Sequence, residues 1–160
     1  MLDSFIPGGA ILVCGPPASG KTTYVEKCRD TGDLVYDFDT LACAIYCKRA
    51  ALTGSHSFPG GQKEYDEISQ IITPMREAMI TVWKGLRPRP RLWLIMSGAS
   101  REHREYMAQR LFNANVIVLQ TSQEECLKRC ASDPIRRQHY GFWDGAILNW
   151  FLAYERDSAI

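Results

Sequence analysis

Gly15-Pro16-Pro17-Ala18-Ser19-Gly20-Lys21-Thr22-Thr23 is the stretch on which the reading of this chain turns. It satisfies the pattern Gly-x4-Gly-Lys-[Ser/Thr], and its flanks suit that pattern. The apolar run Ala10–Cys14 precedes it and a helical stretch, Lys21–Arg29, follows it. Glycines at these places let the backbone turn several N–H groups inward on one anion, at the positive end of the next helix. Lys21 can then reach the outer phosphates of a nucleotide, and the Thr22 hydroxyl can ligate Mg²⁺. A chance glycine-rich turn would not also carry strand and helix in register. Residues 15–23 are therefore the expected nucleotide-binding segment, with ATP and Mg²⁺ as cofactors and Thr22 as the metal ligand.

Working outward, four apolar runs read as buried strands: Ala10–Cys14, Leu34–Phe38, Leu92–Met96 and Val116–Leu119. They are continuous and partly β-branched, as strands of a parallel sheet covered on both faces are. Helical patterns separate them. Leu41, Ala44, Ile45 and Leu52 mark a helix after the second run. Ile68, Ile71, Ile72, Met75, Met79, Val82 and Trp83 mark another, in which Pro74 predicts a kink or a fresh start. Ser100 can cap a helix running to Phe112, and Ser122 with Glu125 forms a capping box. Trp143, Ala146, Ile147, Trp150, Phe151 and Tyr154 stripe a closing helix. Strands alternating with helices predict an α/β sandwich around a parallel sheet. About fifty residues separate the second run from the third, more than a minimal crossover needs. Residues 41–90 read as an acceptor or cap insertion, with the polar loop Gly54–Gly61 at its middle.

Asp37-Phe38-Asp39 closes the second run. Alternation along a strand predicts both carboxylates on one side, facing the phosphate-binding turn at the carboxyl ends of the strands. Either can take the proton of an attacking hydroxyl or hold Mg²⁺ through water; the alternative is a turn in which Asp39 caps the next helix. The third run ends in Ser97, where an ATP-driven motor carries an acidic residue, so the attacking group is expected to belong to a second substrate. Arg136 and Arg137, in a lid-like stretch 131–139, are candidates to stabilise charge on a transferring phosphoryl group. Arg129 is a candidate for the nucleotide phosphates or for a surface ion pair. Arg87-Pro-Arg89-Pro-Arg91 reads as a solvated connector, with a track for a polynucleotide as the alternative.

Composition narrows the classes. The 160 residues make one domain, 1–160; 46% are hydrophobic and 23% charged, and 19 Lys+Arg against 18 Asp+Glu leave a net charge of +1. That balance excludes a polybasic coat for DNA or membranes. No apolar run approaches the roughly 20 residues of a membrane span, and residues 1–9 lack the pattern of a secretion signal. A soluble, cytoplasmic protein is expected. The six cysteines include the pairs Cys43/Cys47 and Cys126/Cys130, each one helical turn apart, which suits apolar helix positions better than disulfides or a zinc knuckle.

On Gly15–Thr23, Tyr36–Thr40, Ser97–Arg104 and Cys126–Arg137, the chain resembles the P-loop kinases, the branch holding gluconate and shikimate kinases, nucleotide kinases, zeta-type toxins and polynucleotide kinase. It is also similar to small phage proteins described as AAA-family ATP-binding proteins. The resemblance implies a sheet of four to five strands ordered 2-3-1-4, an acidic residue at the acceptor hydroxyl and arginines near the phosphates. It does not supply an acceptor: Thr40-Leu-Ala-Cys follows the acidic pair where polynucleotide kinases commonly place an arginine. The expected activity is transfer of the γ-phosphate of ATP to a hydroxyl of a nucleoside, nucleotide, polynucleotide 5′ end or other small molecule. The alternatives are an ATP-binding switch or interaction module with little turnover and, behind it, a DNA-stimulated ATPase.

Overall fold

The computed structural model describes residues 8–45, 61–134 and 136–158. The buried strand β1 (Ala10–Cys14) is the axis of the molecule. It pairs in parallel with β3 (Leu92–Met96) on one side and β4 (Asn115–Val118) on the other, Leu12 standing opposite both Leu94 and Val116. β2 (Leu34–Tyr36) completes the sheet against β3. The order is β2-β3-β1-β4, all parallel, as the resemblance implies.

Alternation along β1 divides the core. Ala10, Leu12 and Cys14 pack with Leu92 and Leu94 against residues of α2 (Phe38–Ile45), α3 (Gly61–Gly85) and α4 (Arg101–Arg110). Ile11 and Val13, with Trp93 and Ile95, meet Val25 of α1 (Lys21–Cys28) on the other face. Each fully buried aliphatic or aromatic side chain contributes about 1.5–3 kcal/mol over its exposed state, so the interior strands β1 and β3, covered on both faces, are strongly held. Cys126 and Cys130 of α5 (Gln123–Ser132) form a third cluster with Trp143 and Ile147 of α6 (Tyr140–Ser158). The result is a three-layer α/β sandwich.

Several boundaries differ from the sequence reading. β2 stops at Tyr36 instead of Phe38, because the Asp37 carbonyl already accepts from Leu41 N at 3.1 Å and opens α2. β4 begins one residue early, at Asn115. α4 ends at Arg110, because Phe112 and Asn113 take φ of 59°. Pro74 neither breaks nor restarts a helix; α3 runs through it for 25 residues. The stretch 131–139 is mostly regular: α5 reaches Ser132, and a 3₁₀ helix, Arg136–His139, leads directly into α6. Leu52 and positions 54–60 of the polar loop fall outside the described residues. Among the described residues no helix is long and apolar enough to cross a membrane.

Candidate functional site

The chain leaves β1 at Cys14 and enters α1 at Lys21, and the six residues between form a tight turn. Gly20 caps α1 with φ of 92°, a conformation open to glycine at no steric cost. Ala18 takes φ of 60° without that freedom. The turn is held from outside. Gly15 N donates to Ser97 O at 3.0 Å and Ser19 N to Pro16 O at 3.2 Å. Thr121 Oγ1 donates to Ser19 O at 3.0 Å, while an Arg129 terminal nitrogen reaches the carbonyls of Ala18 at 3.3 Å and Ser19 at 3.2 Å. These bonds fix the peptide planes of the turn. Ser19 is buried, its hydroxyl has no partner among the described residues, and a Cβ on Gly15 would lie 2.7 Å from that oxygen. An orphaned hydroxyl in a backbone cradle at a helix N-terminus suits an anion.

Lys21 donates from Nζ to the carbonyls of Gly15 at 2.9 Å and Pro16 at 2.8 Å. Burial pushes its ammonium down to about 8, against the upward pull of Asp39 and Asp37. The Asp39 carboxyl moves the other way. Burial and then the charge of Asp37 raise it to about 7, opposed by Lys21 and Arg136. A carboxyl near neutrality beside a weakened ammonium is the environment in which protons change hands.

The route by which these carboxylates reach the cleft corrects the alternation argument. Asp37 precedes α2 and Asp39 lies in its first turn, so they stand at the start of a helix and not along a strand. Asp37, not Asp39, occupies the capping position, accepting from Thr40 Oγ1 at 3.0 Å. The same Asp37 oxygen accepts from Thr22 Oγ1 at 3.3 Å. A hydroxyl and a carboxylate so placed are the hard oxygen donors that Mg²⁺ takes.

Arg136 lines the cleft; its backbone and guanidinium bond to Asp133 at 3.1 and 3.3 Å, and it lies 5.7 Å from the Trp143 ring centroid. Arg137 is exposed and does not line the cleft. Arg129 makes the surface ion pair foreseen as one alternative, with Glu125 at 2.8 Å, and also bonds the carbonyls of the turn. Arg104 bonds the carbonyls of Gly98 and Ala99 and lies over Tyr154, and Arg101 pairs with Glu105. Cys126 and Cys130 are buried among apolar neighbours, and burial pushes the Cys14 thiol up to about 11.

The open cleft has a volume of ≈ 1080 Å³. Phe38 and Tyr65, with ring centroids 5.5 Å apart, line it beside Asp39, and Trp143 stands with Arg136. Thr121, Asp133 and Tyr65 were not singled out from sequence. Thr121 carried a signal, since it lies a few residues past the β4 segment in a sheet whose strand ends gather ligands; Tyr65 and Asp133 carried none.

The whole-chain comparison with solved structures places this architecture among known ones. A chain of the Pnkp1/Rnl/Hen1 RNA repair complex superposes with a TM-score of 0.63 at 16% sequence identity, covering 98% of this chain and 47% of that one. The likeness is one of fold. This chain thus spans about half the length of that neighbour. A second structure of the Pnkp1/Rnl/Hen1 complex matches at a TM-score of 0.48 and 16% identity, over 80% of this chain and 41% of that one. No family model and no curated protein matches the sequence.

Proposed function

We propose that the protein is an ATP-dependent phosphotransferase that moves the γ-phosphate to a hydroxyl of a nucleoside, nucleotide or polynucleotide end. The observation that carries this reading is that Lys21, Asp37, Asp39 and Arg136 line one cleft with the turn at residues 15–23, where burial raises the Asp39 carboxyl to about 7. A group poised near neutrality is an efficient base at working pH. Asp39 takes the proton of the acceptor hydroxyl, whose oxygen bonds to the γ-phosphorus as the bond to the bridging oxygen breaks and ADP leaves. Lys21 and the backbone of residues 15–23 bind and orient the phosphates, and Arg136 stabilises charge on the group in flight. Thr22, with Asp37 behind it, would hold Mg²⁺, which when bound would supply neutralisation of the phosphate oxygens. Arg129 positions the turn. Arg137 has no part in this reading, because it is exposed and does not line the cleft.

Nucleic-acid or nucleotide acceptors are favoured over sugar acids by the aromatic pair Phe38 and Tyr65 beside Asp39, and the fold neighbour's place in an RNA repair complex agrees. One observation supports the second reading, an ATP-controlled interaction module. Ser97 O accepts both from Gly15 N at 3.0 Å and from Trp150 Nε1 at 2.8 Å, which ties the turn to α6.

The test is transfer from γ-labelled ATP to a panel of 5′-hydroxyl RNA and DNA, nucleosides, nucleoside monophosphates and sugar acids, with Lys21→Ala as control. Labelled product that vanishes in the control is expected. ATP binding without transfer to any acceptor would favour the interaction module instead.

A further inference from the structure

At the opposite end of β1 from the phosphate-binding turn lies a second cluster that the reading above does not use. Trp83, at the end of α3, is buried and donates from Nε1 to Pro90 O at 2.7 Å, which locks its ring as a floor. The Arg89 guanidinium sits over that ring at 4.9 Å and over Phe112 at 4.7 Å. Lys84 Nζ stands 5.4 Å from the Phe112 centroid. Beside them is a hollow of ≈ 130 Å³ edged by Asn113 and Asn115.

Three features set this cluster apart from ordinary surface packing. Phe112 follows the last turn of α4 with φ of 59°, a place where glycine is the residue of least strain, and still leaves 58% of itself exposed. A bulky side chain in the left-handed region without burial to compensate points to a use for its ring. Second, the charges are uncompensated. Arg91 pairs with Asp30 and Asp33, and Arg110 with Glu77, whereas Lys84, Arg87 and Arg89 form no ion pair among the described residues. Third, Arg89 Nε is buried with no hydrogen-bond partner among the described residues, while its guanidinium lies over two aromatic rings.

An exposed ring with two cations over it, and a third, Arg87, on the adjoining turn where it donates to Lys84 O at 3.0 Å, is the recognition chemistry of an unpaired base with its phosphates. We infer that the platform of Trp83, Lys84, Arg87, Arg89 and Phe112 binds single-stranded nucleic acid, a base stacking on Phe112 and the backbone phosphates meeting the three cations. An acidic peptide would satisfy the cations and leave the ring unused, and a duplex would keep its bases from the ring. The site is independent of phosphoryl transfer, so its test needs no nucleotide.

The experiment is fluorescence anisotropy of a labelled 12-nucleotide single-stranded RNA of mixed sequence, titrated with the full chain at several salt concentrations. Phe112→Gly removes the ring while relieving the backbone, so its fold is expected to survive; Arg87→Gln changes an exposed charge. Melting temperature checks both. Phe112→Gly is expected to weaken binding about 5- to 150-fold, the equivalent of one lost base stack. Arg87→Gln is expected to reduce the slope of log K against log salt by about 0.7, the share of one single-strand phosphate contact. Absent binding by the wild type, binding unchanged in both folded variants, or equal competition by the matching duplex or by polyglutamate would overturn the assignment.

Discussion

The two walls of the cleft are built on different principles. On the proposed nucleotide side the anion cradle is mostly backbone, joined by the Lys21 ammonium and the Ser19 hydroxyl, and other side chains brace it from behind: Thr121 and Arg129 bond the carbonyls of Ala18 and Ser19, and Gly15 N is fixed on Ser97 O. On the acceptor side the chemistry belongs to side chains carried by helices, Asp37 and Asp39 at the start of α2 and Tyr65 on α3. A backbone cradle binds any nucleotide phosphate and demands a fixed spacing of glycines. A side-chain wall can be rebuilt for each acceptor with no fixed spacing. The first wall therefore leaves a pattern in the sequence, and the second leaves only residue types.

That contrast can be broken by experiment. A large effect should come from Arg136→Ala, expected to lower the transfer rate about 10²–10³-fold as a charge-stabilising donor is lost. Arg137→Ala, one residue on but outside the cleft lining, should leave steady-state transfer unchanged. Equal losses in the two would dissolve the distinction between them.

Proton linkage gives a second handle. Because the Asp39 carboxyl is raised to about 7, the folded protein holds its proton where the unfolded chain has released it. Asp39 therefore costs stability progressively as pH rises from about 4 to about 7. Asp39→Asn should be more stable than the wild type at pH 8, with the advantage fading toward pH 4, read from denaturant midpoints. Lys21, lowered to about 8, acts in the other window: its contribution to stability improves as pH rises from about 8 toward its ordinary value.

Smaller effects should follow on the nucleotide wall. Thr121→Val removes one hydrogen bond to the turn and should cost about 0.5–1.5 kcal/mol in stability, with weaker nucleotide binding by equilibrium titration. Arg129→Ala removes both bonds to the turn carbonyls together with an exposed Glu125 pair worth about 0–1 kcal/mol, and should likewise weaken nucleotide binding.

Much of this was legible in the chain, and the misses have physical causes. β1 and β3 match their apolar runs because both are interior strands with every residue selected for burial or near it. The edge strands β2 and β4 drifted by one or two residues, since an edge is partly wet and its ends are set by local turns. Ser100 and Ser122 cap their helices as their sequence spacing suggests, accepting from His103 N and Glu125 N. Asp37 and Asp39 reached the cleft by helical geometry that a strand reading could not supply. The support of Arg136 by Asp133 was hidden for a different reason: an i, i+3 contact across a 3₁₀ turn looks in sequence like any charged loop.

The central claim is that Asp39 serves the chemical step while the turn at residues 15–23 serves binding. Its most direct test is Asp39→Asn, with ATP affinity and γ-phosphate transfer measured on the same preparation. The account predicts transfer lowered about 10²–10⁴-fold with ATP affinity within a few-fold of the wild type. Transfer undiminished in Asp39→Asn, or lost only in proportion to ATP binding, would contradict it.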